Sequence, residues 1–168
     1  MPSDRLPSLA DLDRGPLVDR RQSVNAMKVR RGACRLLRAH AFLPIAEVGL
    51  ASGRRADLVA LGPHGEIWIV EIKSSPEDLR ADQKWPDYRL HCDRLFFATL
   101  PEVAHAPFPE DAGFILSDGH RAEIVRMAPE HRLAGATRKA MTLRFAALAA
   151  RRLHDMEDPE AAAFERML

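Results

Sequence analysis

The sequence lacks most of the features that declare a function at once. Only two of its 168 residues are cysteines, Cys34 and Cys92. They lie far apart, with no CxxC or Cys/His cluster, which speaks against a disulfide framework or a structural zinc site and fits a reducing cytoplasm. The formal net charge is only +1, so no whole-molecule field attracts polyanions, and any basic site must come from local segregation of charge. No apolar run approaches the roughly 18 residues that a membrane-spanning helix needs, so no membrane partner is expected. The first twenty residues contain Pro, Asp and Arg but no apolar core, and do not read as a signal peptide. There is no glycine-rich phosphate loop, Walker pattern or GxSxG elbow.

Acidic residues are missing from two stretches, Asp19 to Glu47 and Glu130 to Asp155. Both coincide with predicted helices. From about Gln22 to His40, Val29, Ala33, Leu36, Leu37 and His40 share one side at 100° per residue, and Lys28, Arg31, Arg35 and Arg38 share the other. A solvated helix face is ordinarily laced with opposite charges at i, i+4. This one has no acids, so it presents unneutralised positive charge or pairs with the acidic middle of the chain. Phosphate backbone is the natural external partner. Arg54, Arg55 and the second basic helix (Arg138, Lys139, Arg144, Arg151, Arg152) add to it.

Between the helices, PIAEVGL, RRADLVAL and EIWIVEIK read as strands separated by ASG and GPHG, an antiparallel meander. Ser75-Pro76-Glu77-Asp78 is a helix start with serine as cap. The helix is predicted to run to about Cys92, kinked or broken by Pro86. RLFFATL is a further strand, GFILSD and AEIVRM form a hairpin around Gly119, and a long helix spans about Gly135 to His154. This order predicts one mixed α/β domain over residues 21–155, a central mixed sheet flanked by helices. A flexible tail, 1–20, precedes it, and an acidic tail, 156–168, follows.

The chemistry concentrates at the end of EIWIVEIK. Strand alternation puts Ile67, Ile69, Glu71 and Lys73 on one face. If GPHG closes the hairpin, residues 61 and 67 pair and Asp57 lies opposite about Glu71. Two adjacent carboxylates repel unless a proton or a cation sits between them. Mg²⁺ or Mn²⁺ suits such a pair, with waters and the Ile72 carbonyl completing the shell. Lys73 would then serve the attacking water or stabilise charge developing on a phosphate. The plain alternative is a salt bridge of Lys73 with Asp57 or Glu71. Glu47, on the neighbouring strand, is either a third carboxylate for the site or a partner for Arg54 or Arg55.

Asp57 followed by Glu71-Ile72-Lys73 resembles the PD-(D/E)xK nuclease signature. GRRADLVAL, IWIVEIKSS, DQKWPDY and HCDRLFFA together resemble the MmcB-type family of bacterial DNA-repair proteins, over about residues 20 to 154. The resemblance implies a restriction-endonuclease-like core, a role in DNA repair with DNA and other repair proteins as partners, and metal-dependent phosphodiester cleavage. It makes Asp57 and Glu71 metal ligands and Lys73 the catalytic lysine. Two departures stand out. Residues 56 and 57 are Ala-Asp rather than Pro-Asp. Where several similar nuclease families place Gln and Tyr four apart on the following helix, this chain has Lys84 and Tyr88. Lysine cannot accept a hydrogen bond, which shifts that position towards phosphate contact. A non-catalytic DNA-binding or adaptor protein on the same fold is therefore the alternative.

Overall fold

A computed structural model describes residues 23–81, 85–104 and 107–160. The tails expected at 1–20 and over the last residues fall largely outside these ranges, as does Lys84. The described elements are α1 (Val24–Ala39), β1 (Leu43–Gly49), β2 (Arg55–Leu61), β3 (Ile67–Ile72), α2 (Pro76–Ala81), β4 (Arg94–Thr99), β5 (Gly113–Ser117), β6 (Ala122–Arg126) and α3 (Gly135–Glu157). Short 3₁₀ turns lie at Trp85–His91 and Pro101–Val103.

The strands form one six-stranded sheet in chain order. β1, β2 and β3 are an antiparallel meander, β3, β4 and β5 run parallel, and β5 and β6 close an antiparallel hairpin. The mixed sheet and the meander follow the sequence expectation, including the pairing of Leu61 with Ile67. Every residue of β3 is buried. That is the expected state of a strand covered on both faces, and it explains why its sequence is nearly continuous in apolar residues.

Helix α1 covers one face. Val29, Ala33 and Leu37 pack on Leu58, Ala60, Trp68, Val70, Phe96 and Ile115. Its cap is Ser23, whose hydroxyl accepts from the Ala26 amide at 3.1 Å. Phe42, just after the helix, stacks on Trp68 with ring centres 4.0 Å apart, and Trp68 meets Phe96 at 4.9 Å. Gly32 lets the helix approach the β5–β6 hairpin closely: a side chain there would collide with Ser117 and the Arg121 carbonyl. Helix α3 covers the other face through Met141, Phe145 and Leu148, against Val59, Ile67, Ile69 and Leu95.

Two boundaries differ from the sequence reading. The helix after Ser75 is described over Pro76–Ala81, and Trp85–His91, where the sequence reading continues an α-helix, is a 3₁₀ turn. Pro86 falls in that turn, where a missing amide costs little but an α-helix interior would be broken. Helix α3 runs three residues past His154, into the acidic stretch, and stops at Glu157. Nothing in Asp155-Met156-Glu157 breaks a helix. Asp158 precedes Pro159 and adopts φ −131°, the extended geometry that proline imposes on its neighbour.

Candidate active site

The β2–β3 ladder runs from Leu61/Ile67 to Leu58/Val70 and stops there. The next register position holds Asp57 and Glu71, and their side chains replace the missing backbone bonds. The Asp57 amide donates to Glu71 Oε1 at 3.2 Å, and the Ile72 amide donates to Asp57 Oδ2 at 2.7 Å. Each carboxylate thus clasps the other strand's backbone. The β1–β2 ladder skips the same row: Ala46 pairs with Leu58 and Val48 with Ala56, with Glu47 and Asp57 between them. Glu47, Asp57 and Glu71 therefore occupy one row across three strands.

Lys73 stands two residues beyond Glu71 and is 5% exposed. Its amide donates to the Ala98 carbonyl at 2.9 Å, and its own carbonyl accepts from Thr99 Oγ1 at 2.6 Å. These bonds extend β3 along β4 and fix the lysine's direction. Its Nζ lies 5.9 Å from the centre of the Phe97 ring, an aromatic face that favours a cation.

Burial pushes the Asp57 carboxyl up to about 6. The Glu47 and Asp78 carboxylates push the same way, while the Ile72 amide and Lys73 oppose them. Asp78 enters the neighbourhood through the helix start that the sequence announced. Its amide donates to Ser75 Oγ at 3.1 Å, and its carboxylate accepts from the Ser74 amide at 3.2 Å. In the sequence Asp78 reads as part of a cap and of the acidic middle of the chain. The reciprocal capping pattern was legible; that it turns a carboxylate towards Asp57 was not.

Glu47 is 2% exposed and has φ +54°, a left-handed conformation that non-glycine residues adopt rarely. It is ion-paired with Arg55, Nε to Oε2 at 2.6 Å, so the pairing alternative for Glu47 is realised. Arg152 of α3 donates to the Ala46 and Glu47 carbonyls at 2.5 and 3.1 Å, and Arg144 donates to the Gly49 carbonyl at 3.0 Å. One role of α3 is thus to hold the unusual backbone of β1. Arg54 bonds Asp87 at 2.7 Å. The buried Tyr88 donates from its hydroxyl to the Arg55 carbonyl at 3.3 Å, and packs among the core residues under α3. The cations expected around the site are therefore largely engaged by protein acceptors.

Lys28, Arg31, Arg35 and Arg38 are all exposed, as their stripe predicts. They stand on α1, on the face of the sheet opposite Asp57, Glu71 and Lys73. Arg35 donates to the His120 carbonyl at 2.9 Å.

A second carboxylate centre went unnoticed in the sequence. Asp93, at the start of β4, is 4% exposed. Its oxygens accept from the Ile67 amide at 2.8 Å, the Leu133 amide at 2.9 Å, and both terminal nitrogens of Arg138 at 2.7 and 2.8 Å. Burial raises this carboxyl, but the bonds from Arg138, Ile67 and Leu133 outweigh it and hold it below the ordinary aspartate range. Arg138, grouped by sequence with a basic surface, is committed here. Only the position of Asp93 next to an apolar strand hinted at burial.

Among the described residues, no three His, Cys, Asp or Glu side chains are arranged as a metal cluster. The donor set at the row's centre is two carboxylates. Each spends one oxygen on a backbone amide, and a cation that keeps several waters needs no more protein ligands than these. The desolvated Asp57 gains most from such a charge, so the residues fit a hard divalent ion. Cys92 does not join them: burial pushes its thiol up to about 12. No helix among the described residues is long and apolar enough to cross a membrane.

A family model described as DNA repair protein MmcB-like matches residues 13–160. The structure resembles that of SPO1766, a protein of unknown function from Silicibacter pomeroyi. The two share 45% sequence identity and a TM-score of 0.78, over 83% of this chain and 95% of the other. No curated protein matches.

Proposed function

The chain belongs to the MmcB-like family of DNA repair proteins, and from that premise we propose that it is a metal-dependent nuclease acting on DNA, built on a restriction-endonuclease-like core. The observation that carries the reading is the clasp at the open end of β2 and β3. Two carboxylates meet there on a buried face, with a lysine two residues further along the same strand. A salt bridge alone would need neither the second buried carboxylate nor the break in the ladder.

In this reading Asp57 and Glu71, with the Ile72 carbonyl, hold Mg²⁺ or Mn²⁺. The ion, when bound, polarises the scissile phosphate and neutralises charge developing on it. Lys73 faces the attacking water, orients it and stabilises the charge that builds on the phosphate. Arg55 holds Glu47 in the row, and Tyr88 braces Arg55 through its carbonyl, so these residues position the site from behind. Lys84 is assigned a phosphate contact. Backbone phosphates elsewhere on the DNA are assigned to Lys28, Arg31, Arg35 and Arg38, with Arg54 and Arg55 nearer the row.

The second reading, a DNA-binding protein that no longer cuts, draws support from the pairing of Glu47 with Arg55, which removes a third carboxylate from the metal's reach. A cleavage assay with Mg²⁺ and Mn²⁺ on single-stranded, duplex, flapped and branched DNA separates the two. Cleavage by the wild type that disappears in Asp57→Ala and in Lys73→Ala, with binding retained, is the expected result. Salt-sensitive binding without cleavage of any substrate would establish the second reading instead.

A further inference from the structure

Two charged regions lie on opposite faces of one sheet. Glu71 and Lys73 share the face of β3 that carries Ile67 and Ile69, the face on which α3 packs, and Asp57 of β2 meets Glu71 there. The α1 stripe stands on the outer side of a helix that packs on the other face, over Trp68, Val70 and Phe96. An α-helix with its side chains is about 10–12 Å across, so the stripe and the carboxylates are separated by that helix and the sheet itself.

The run of α1 widens the separation. Its first turns lie beside Leu100, Pro101 and Asp118, at the carboxyl ends of β4 and β5. Its last turn leads into Phe42, stacked on Trp68 at the opposite end of β3. The stripe therefore starts at the end of the sheet that holds the carboxylates and leads away from it, on the far side.

The stripe is also the better phosphate surface of the two. Near the carboxylates, Arg54 is bonded to Asp87 and Arg55 to Glu47, and Arg144 and Arg152 are spent on carbonyls of β1. Among the described residues, Arg31 and Arg38 have neither an ion pair nor a hydrogen bond from their guanidinium groups, and Arg35 spends one donor on a carbonyl. Duplex DNA is stiff over roughly 150 base pairs. A straight duplex with a phosphate at Lys73 leaves the stripe on the other side of the protein untouched.

We propose that the α1 stripe holds a second duplex arm, and that the substrate class is branched DNA, one arm at the carboxylate row and another along Arg31, Arg35 and Arg38. This rests on the reading of the row as a site that engages DNA. The test measures binding without divalent ions, so that cutting plays no part, and compares a three-way junction with a linear duplex of equal total length.

Wild-type protein should bind the junction at least tenfold more tightly. Its log Kd should also change more steeply with log salt for the junction, by about 3, since each phosphate neutralised contributes about 0.9 to the slope. The triple variant Arg31→Glu/Arg35→Glu/Arg38→Glu should lose the preference, with the two DNAs bound alike. The slope comparison uses wild-type protein alone and stands even if the variant fails to fold. Equal affinities and slopes for wild type would overturn the proposal. So would a preference that survives the triple variant. Junction preference without cleavage in Mg²⁺ would instead overturn the nuclease reading alone.

Discussion

Strand β3 has an aspartate from a neighbouring segment at each end, and the two are set oppositely. At its start, Asp93 receives four hydrogen-bond donors, two of them from the guanidinium of Arg138, and its carboxyl is held low. At its end, Asp57 receives one backbone amide, lies beside three other carboxylates, and its carboxyl is held high. The first is satisfied by the protein and ties β3, β4 and the start of α3 together. The second has unspent capacity for positive charge. Residue type is the same, and the part-buried Asp57 is the less covered of the two; what separates them is how many donors the fold supplies.

Substitutions can break this comparison. The largest effect expected is on activity: Asp57→Asn should lower cleavage by about 10³-fold, yet leave the protein at least as stable at neutral pH. Single-turnover rates and thermal melting of the same sample check both halves. A loss of stability with Asp57→Asn would show that the two aspartates do the same work.

Asp93→Ala should do the reverse. It leaves the Ile67 and Leu133 amides without their acceptor while Arg138 keeps the Gly65 carbonyl, and an unsatisfied buried group costs about 1–3 kcal/mol, read from urea unfolding. Whatever fraction remains folded should keep its cleavage rate per molecule.

The pH dependence sharpens the contrast. Asp57's folded value, about 6, lies above the ordinary 3.8, so the folded state binds the extra proton. Its contribution to stability is present below about pH 4 and is lost as the pH rises through 6, a difference of roughly 2–3 kcal/mol. Asp93's folded value is lowered, so its contribution is present above the unfolded value and is lost as the pH falls below it. Denaturation between pH 4 and 7 should therefore fall in midpoint as pH rises, and Asp57→Asn should flatten that slope. Added Mg²⁺ should restore stability at pH 7 in wild type and not in Asp57→Asn.

The smallest effect is at the brace. Tyr88→Phe removes one hydroxyl bond to the Arg55 carbonyl and should cost about 1 kcal/mol. A much larger fall in cleavage than in stability would move Tyr88 from bracing to the chemistry.

The sheet and the central pair were legible because they follow from short-range rules. Strand alternation, the GPHG turn and the 61/67 pairing placed Asp57 opposite Glu71 without any knowledge of the third dimension. The cap at Ser75 and the basic side of α1 followed from spacing in the same way. Asp93 and Arg138 did not, because they are 45 residues apart and meet only when α3 docks. Nor did the left-handed backbone at Glu47, whose carbonyl is held by Arg152, 105 residues on. The α-helix expected as far as Cys92 is a 3₁₀ turn over Trp85–His91, because helical periodicity continues there while Pro86 favours the tighter turn.

The clasp also carries a built-in reporter. The amides of Asp57 and Ile72 are guarded by carboxylate oxygens rather than by carbonyls of a ladder. Carbonyls do not change with acidity or with a nearby cation; carboxylates do. When a proton or an ion neutralises those carboxylates, the bonds that guard the two amides weaken while Leu58 and Val70, one pair further in, keep theirs. Amide hydrogen exchange at positions 57 and 72, measured against 58 and 70, would then register occupancy of the row with no DNA present.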